Sequence, residues 1–152
     1  MTAVRIRPAE RDDVPDLAET AVRSWTEAYR GVLPETVLTE APRRIRHTIR
    51  EDWREMFVAE QSGQIVGYFD FEPGTSHIRH IYVDPRYHRR GIGRLMMEAA
   101  LDILRERGFD RASIDVVDGT KAPDFHVALG WRERNRSIDP DGVCVISMTK
   151  DL

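Results

Sequence analysis

The order of the predicted elements indicates a mixed α/β fold for this chain of 152 residues. Three predicted strands follow one another in the middle of the chain, and two more close it. A doubly wound sheet would instead alternate strands and helices strictly, so we expect a mixed sheet flanked by helices. A chain of this length can bury a core of its own, and we expect a single domain over residues 1–152.

The N-terminal half begins with a strand that Pro8 ends, and continues into an amphipathic helix that Asp12 or Asp13 can cap. Gly31 and Pro34 end that helix. The dipeptide Ser62-Gly63 lies between two β-rich segments and predicts a hairpin. The predicted elements of this half are a strand at Val4–Arg7, a helix to about Tyr29, a short helix starting over Pro34–Thr39, a helical segment at Pro42–Arg54, and hairpin strands at Met56–Glu60 and Gln64–Phe71.

The C-terminal half contains a long amphipathic helix whose C-cap is Gly108. We expect its buried face to consist of Ile92, Leu95, Met96, Ala99 and Ile103. The predicted elements of this half are strands at Ser76–Val83 and Ala112–Val117, helices at about Gly91–Arg107 and Ala122–Leu129, and a closing pair of strands at Trp131–Arg134 and Val143–Thr149.

The segment between Asp84-Pro85 and the long helix has the composition of a phosphate-binding loop. The start of a helix has unpaired N–H groups and a partial positive charge, which together attract anions. Gly91 and Gly93 remove Cβ atoms at this point, and three arginines surround it: Arg89, Arg90 and Arg94. The loop lacks the lysine of a Walker A motif, and the third glycine of a dinucleotide fingerprint is replaced by Met96. The alternative is a tight turn with a solvated basic face.

Composition argues against several classes of protein. The net charge of −3 and the interspersed charges argue against nucleic acid or an anionic membrane as a partner. Cys144 is the only cysteine, so it has no partner for an intrachain disulfide. No apolar stretch reaches 18 residues and the N-terminus lacks a signal-peptide core, so we expect a cytoplasmic protein. Strict alternation along a strand places His77 and His80 on opposite faces, which argues against a metal site at this pair.

Three segments match the sequence pattern of one known family. The first is Ile81-Tyr82-Val83-Asp84-Pro85 followed by His88-Arg89-Arg90-Gly91-Ile92-Gly93, which looks like a Gln/Arg-x-x-Gly-x-Gly/Ala motif. The second is Ala122-x-x-Phe125-His126-x-x-Leu129-Gly130-Trp131, which is similar to Asn-x-x-Ala-x-x-Phe-Tyr-x-x-x-Gly-Phe. The third is Ser24-Trp25-x-x-Ala28-Tyr29-Arg30-Gly31-x-Leu33-Pro34. On these segments the chain resembles the GNAT superfamily of N-acetyltransferases, as a bacterial-type member, over nearly its full length.

The resemblance implies a mostly antiparallel sheet that is splayed between its fourth and fifth strands. It implies direct transfer of an acetyl group from acetyl-CoA, as co-substrate and without a metal, to a primary amine of a small molecule or peptide through a tetrahedral intermediate. Amides of the basic loop would bind the pyrophosphate, and the fourth strand would bind the pantetheine arm. The implied cofactor-binding residues are Ile81, Tyr82, Val83, His88, Arg89, Arg90, Gly91, Ile92, Gly93 and Arg94.

The implied catalytic residues depart from the family pattern. His126 replaces the family's tyrosine, which often acts as general acid toward the CoA thiolate. A histidine can exchange protons near neutrality, so His126 is our candidate acid, and simple packing is the alternative. His77, His80 and Asp115 flank the expected gap and are candidates for a general base, although a water chain could serve instead. Gly119 stands where the family often has an asparagine.

The acceptor pocket is implied to lie at the N-terminal helices. Trp25, Glu27, Tyr29 and Arg30 are candidates for it, with Glu27 holding a cationic amine. Alternatively, Trp25 and Tyr29 could pack in the core. The replacement of the family's tyrosine also keeps open a catalytically weak acyl-CoA-binding or regulatory module. Many relatives form homodimers, but no sequence feature identifies an interface.

Overall fold

The computed structural model describes residues 3–152, which form a seven-stranded sheet with helices on both faces. Within these residues the strands are β1 (Arg5–Pro8), β2 (Met56–Gln61), β3 (Gln64–Phe71), β4 (His77–Val83), β5 (Arg111–Val117), β6 (Arg132–Ile138) and β7 (Cys144–Asp151). The α-helices are α1 (Val14–Tyr29), α2 (Glu35–Asp52), α3 (Ile92–Glu106) and α4 (Ala122–Ala128). Apart from α2, which the sequence predicts as two helical segments, this order of strands and helices is the predicted one.

The sheet has the order β1-β2-β3-β4-β5-β7-β6, and the neighbouring strands are antiparallel except for β4 and β5. β4 and β5 are parallel and pair only at His77 with Ser113 and at Ile78 with Ile114. The rest of β4 therefore diverges from β5 and leaves a gap. This geometry confirms the expected mixed, mostly antiparallel sheet that is splayed between its fourth and fifth strands.

The core lies in two layers, one on each face of the sheet. On one face α3 packs against the strands, with Met96, Phe69 and Ile114 among its buried contacts. On the other face α1 and α2 cover the first four strands, with Leu17 and Ile49 fully buried. No helix within residues 3–152 combines the length and the apolar character that a membrane crossing requires.

The hairpin prediction is confirmed, but two helix predictions need correction. Ser62 and Gly63 both have positive φ, 52° and 76°, as a two-residue type I′ turn requires. The two helical segments predicted between Pro34 and Arg54 form one helix, α2, with Pro42 inside it. A proline removes one backbone donor from a helix without always ending it, and here the helix continues on both sides.

The buried face of α3 also differs from the predicted one. Leu95 is 36% exposed. The residues of α3 that are buried are Ile92, Met96, Met97, Ala100, Leu101 and Leu104. The apolar stripe of this helix is wider than one face, so its periodicity does not decide which edge contacts the sheet. The closing strand β6 extends four residues beyond its prediction, to Ile138, because it is exposed throughout and has no apolar alternation to mark its end.

Candidate active site

The loop between β4 and α3 has a backbone suited to binding an anion. Arg89 has φ of 64° and Gly91, the N-cap of α3, has φ of 78°. Left-handed residues at close spacing turn successive N–H groups into a concave anion site, and the first N–H groups of α3 lie directly beside it. A left-handed arginine is strained, which no sequence signal predicted. The exposed Arg90 and Arg94 add positive charge at the same place.

The two glycines of the loop are required for different structural reasons. A Cβ at Gly91 would meet nothing within 4 Å, so this glycine is needed for its positive φ. A Cβ at Gly93 would lie 3.3 Å from the ring of Phe125 and 3.7 Å from Val83. Gly93 therefore lets α4 approach β4 and α3, in addition to the predicted access for phosphate.

A buried carboxylate fixes the start of the loop. Asp84 has no exposed surface and accepts hydrogen bonds from the Arg23 guanidinium of α1 at 2.9 Å and from the Arg86 N–H at 3.0 Å. Burial alone would raise the pKa of the Asp84 carboxyl, but the hydrogen bonds from Arg86 and Arg23 outweigh it and lower the pKa below its ordinary value. This ion pair ties α1 to the end of β4 and thereby positions the loop.

The edge of β4 that faces the gap presents alternate backbone groups. The Asp84 N–H donates to the Val66 carbonyl at 2.8 Å, which fixes the pattern of the β3–β4 ladder. In that pattern the N–H and C=O groups of Ile81 and Val83 point away from β3 and into the gap. The Val83 carbonyl accepts a hydrogen bond from His88 Nε2 at 3.0 Å. The predicted pantetheine edge thus coincides with the opening in the sheet.

His126 is buried on the α3 side of the sheet, with 3% of its surface exposed. Its Nδ1 donates to the Ala122 carbonyl at 2.8 Å, and its ring packs edge-on against Trp131 at 5.4 Å between centroids. Its Nε2 has no hydrogen-bond partner within the described residues. Burial lowers the pKa of the imidazole, although the bond to Ala122 opposes this shift. The geometry favours the packing alternative, and the role of His126 as an acid stays a prediction.

A β-bulge in β4 overturns the expectation that His77 and His80 lie on opposite faces. His80 pairs with Asp70 and Ile78 pairs with Phe71, so Arg79 is an extra residue in the ladder. On the N-terminal side of the bulge Ile78 packs on the α3 face, and on its C-terminal side His80 faces α1 and α2 beside Tyr68. His77 contacts side chains of β5 that point away from α3, since they alternate along the strand with the β5 residues that pack against α3. His77 therefore lies on the same face as His80.

The two histidines have different surroundings. His80 Nδ1 lies 2.8 Å from Oδ1 of Asp70, which has no exposed surface and also binds the Arg79 guanidinium. His77 Nδ1 lies 2.8 Å from Ser113 Oγ, and its Nε2 lies 3.7 Å from an Asp115 oxygen, at the closed end of the gap. Within residues 3–152 no group of three His, Cys, Asp or Glu side chains is arranged to hold a metal ion.

A cavity of about 290 Å³ opens between α1, α2 and strands β2 to β4. Three of the site residues predicted from the sequence line this cavity: Trp25, His80 and, with its side chain, Tyr82. The full lining consists of Trp25, Arg44, Ile45, Thr48, Ile49, Met56, Tyr68, Arg79, His80 and Tyr82. The sequence motifs do not include Arg44, Arg79 or the underlying Asp70. The one sequence signal for Asp70 is its charge within the otherwise apolar strand QIVGYFDF.

The structure separates the other acceptor candidates. The Tyr29 hydroxyl lies 3.1 Å from that of Tyr82, and burial raises the pKa of both phenols. Glu27 lies outside the cavity, because two helical positions after Trp25 turn its side chain about 200° away from that residue. It is exposed and pairs with Arg30 at 3.3 Å.

Comparisons with known proteins show the family to which the chain belongs. The family model described as an acetyltransferase (GNAT) domain matches residues 15–152. The N-acetyltransferase YuaI of Bacillus subtilis, itself uncharacterized, is 24% identical over 138 residues, which cover 82% of this chain and 78% of YuaI. A GCN5-related N-acetyltransferase from Rhodopseudomonas palustris superimposes with a TM-score of 0.83 at 22% identity, over 100% of this chain and 98% of that one.

A further similar structure was solved with a bound ligand. The PaiA N-acetyltransferase from Thermoplasma acidophilum, in complex with coenzyme A, has a TM-score of 0.80 at 17% identity, over 99% of each chain. At these identities the structural likeness shows the fold, and the family model, which spans most of the chain, shows the family. The chain belongs to the GNAT family of acetyltransferases.

Proposed function

We propose that this chain, as a single domain over residues 1–152, transfers an acetyl group from acetyl-CoA to a primary amine of a small molecule or peptide. One observation carries the proposal: the open edge of β4 leads from the anion-binding loop toward the cavity where β4 presents His80. A cofactor with a phosphate end and an amide-rich arm fits such a path, because the arm can pair with the edge as an added strand. Family membership and the coenzyme A complex of the Thermoplasma relative support this choice of co-substrate.

The loop and the strand would divide the binding of acetyl-CoA between them. The N–H groups from Arg89 to Arg94 would bind the pyrophosphate, and the arginine side chains would offset its charge. The backbone groups of Ile81 and Val83 that face the gap would pair with the pantetheine amides. An open groove of about 610 Å³ along α3, which includes Arg94, leaves room beside the loop for the nucleotide end.

His80 is our choice for the general base. Because the Asp70 carboxylate accepts the Nδ1–H of His80, the Nε2 atom is left to accept a proton from the acceptor ammonium. The neutral amine then attacks the acetyl carbonyl carbon, and a backbone N–H of the β4 edge stabilises the oxyanion. The new C–N bond forms and the C–S bond breaks as the tetrahedral intermediate collapses. The nitrogen loses its extra proton to water, and the CoA thiolate takes up a proton from water or, as predicted, from a protonated His126.

Thermal unfolding with acetyl-CoA, CoA, ATP and NAD tests the binding step. A ligand at 100 times its dissociation constant adds about 2.7 kcal/mol, which raises the melting temperature of a domain of this size by several degrees. We expect this rise with both CoA species, a loss of most of it in Arg90→Glu, and no loss in Arg50→Glu, an exposed arginine of α2. An equal rise with ATP, or no rise with CoA, would refute the proposal.

The alternative function is an acyl-CoA-binding module with weak catalysis. It is favoured by the buried His126, whose environment disfavours the protonated form that an acid needs. CoA release from acetyl-CoA in the presence of an amine panel separates the two functions. Transfer that exceeds hydrolysis supports the enzyme, whereas tight binding with no transfer to any amine supports the module.

A further inference from the structure

The cavity beside His80 has a positive rather than a negative lining. Its ionisable residues are Arg44, Arg79, His80 and the two tyrosines, Tyr68 and Tyr82. Among residues 3–152 no carboxylate is part of this lining, and Asp70 lies beneath it with no exposed surface. The expected anionic contact for a cationic amine, Glu27, lies outside. The lining therefore suits an acceptor that brings a negative charge of its own.

Arg44 is the cation of this lining that is available to a ligand. Its guanidinium lies 6.0 Å from the centroid of the Trp25 ring, and within residues 3–152 it has no carboxylate oxygen within 4.0 Å. The nearby Arg46 of the same helix, by contrast, pairs with Glu19 at 2.8 Å. A guanidinium placed at an aromatic ring is weakly hydrated and presents a planar fork to a carboxylate.

Arg79 has a different role at the opposite wall. Asp70 binds its guanidinium and Asp52 lies 4.0 Å away, so its charge is largely balanced. The net charge of the lining is therefore carried by Arg44, on the α2 wall, while the proposed base His80 is on the β4 wall. An acceptor that spans the cavity would place its amine at β4 and its anion at α2.

Electrostatics then separates two classes of amine. A diamine or polyamine would bring a second ammonium group toward Arg44, and two like charges repel each other even though Arg44 itself is an exposed residue. An amine with a carboxylate would form a charge-assisted, bidentate contact with the guanidinium. The positive lining also disfavours the ammonium form of the acceptor, which increases the fraction of neutral amine that can attack.

We propose that the acceptor is an amine that carries a carboxylate and has the size of a free amino acid, with Arg44 as the residue that recognises the carboxylate. This inference rests on the proposed acetyl transfer. The volume of about 290 Å³ accommodates a single amino acid and its aromatic or aliphatic side chain. Trp25, Tyr68 and Tyr82 would contact that side chain, and Arg44 selects amino acids against the amines that lack the carboxylate.

The test measures CoA release with matched acceptors at fixed acetyl-CoA. The pairs are phenylalanine with phenethylamine, tyrosine with tyramine, and lysine with cadaverine, within a panel of the twenty amino acids. We expect at least one amino acid to exceed its decarboxylated partner about 10-fold or more in kcat/KM, as a charged hydrogen bond implies. Arg44→Gln should remove most of that preference, whereas Arg43→Gln, an exposed neighbour outside the lining, should keep it.

Each contrary result can be assigned to one of the two proposals. Equal or better transfer to the decarboxylated amines, or a preference that survives Arg44→Gln, overturns the carboxylate inference. Transfer to no amino acid while acetyl-CoA still raises the melting temperature also overturns it, and leaves cofactor binding intact. No rise with acetyl-CoA overturns the proposed function instead. Melting temperatures of Arg44→Gln and Arg43→Gln show whether both variants are folded.

Discussion

The Nδ1 atom of His80 lies 2.8 Å from Oδ1 of Asp70, a carboxylate with no exposed surface on the neighbouring strand. A carboxylate can only accept, so the imidazole donates from Nδ1 and its Nε2 is left as the basic atom. His80 lies directly opposite Asp70 in the β3–β4 ladder, so the two side chains share the face that the cavity occupies, and the bulge at Arg79 brings His77 to that face as well. It resembles the way in which many enzymes fix the tautomer of a histidine base with a buried carboxylate.

The first prediction concerns this pair. A general base typically contributes about 10²–10⁴-fold, so His80→Gln should lower kcat by at least about 100-fold. The rise in melting temperature with acetyl-CoA should persist, since the cofactor loop is unchanged. Steady-state CoA release and thermal unfolding measure the two effects. His77→Gln is the matched control, and if it lost as much activity as His80→Gln, the base would have to be reassigned.

A second prediction separates the two loop glycines. Gly91→Ala places a Cβ on a left-handed residue and should cost about 1–2 kcal/mol, with weaker acetyl-CoA binding.

Gly93→Ala should act through Phe125, whose ring lies 3.3 Å from the new Cβ. Urea unfolding of Gly93→Ala with and without Phe125→Ala should therefore show coupling of about 0.5 kcal/mol or more. Simple additivity of those two changes would contradict the packing role.

The sequence predicts the fold more completely than it predicts the site. Runs of consecutive strands and the glycine loop are local patterns, and the structure confirms the fold that they indicated. The bulge at Arg79 is set by the pairing of Asp70 with His80 and of Phe71 with Ile78, which no single strand encodes. Strict alternation therefore gave the wrong face for one of the two histidines.

The cavity was missed for a similar reason. Arg44 is ten residues or more away from every other candidate, and its contact with Trp25 arises only when α1 and α2 pack together. The composition of α2, with many charges, looks like an ordinary solvated surface. Only the packing of these two helices shows that one of its arginines lines the cavity.

A third prediction concerns Gly67 on β3. A Cβ at this position would lie 2.6 Å from Met96 Sδ and 2.7 Å from the Tyr82 carbonyl oxygen. The methionine can move, but the carbonyl belongs to β4, so Gly67→Ala should destabilise the protein by about 2–3 kcal/mol. Urea unfolding measures this loss. Gly74→Ala, at a positive φ and with nothing within 4 Å of its Cβ, should cost only about 1–2 kcal/mol, as a left-handed alanine does. Full rescue of Gly67→Ala by Met96→Ala would show that the clash with β4 is unimportant.

The last prediction uses the burial of His126. Burial lowers its pKa in the folded protein below the ordinary value of 6.5, so the unfolded chain binds more protons as the pH falls below that value. The stabilisation that the buried, neutral His126 contributes is complete above about pH 6.5. It is lost as the pH falls from there toward the pKa of His126 in the folded protein, and the free energy of unfolding then decreases by up to about 1.4 kcal/mol per pH unit. His126→Asn keeps a donor for the Ala122 carbonyl but does not titrate, so its free energy of unfolding should change less between pH 7 and pH 5. Urea unfolding across this range measures the difference. An unchanged slope in His126→Asn would mean that His126 is protonated as readily in the folded chain as in the unfolded one.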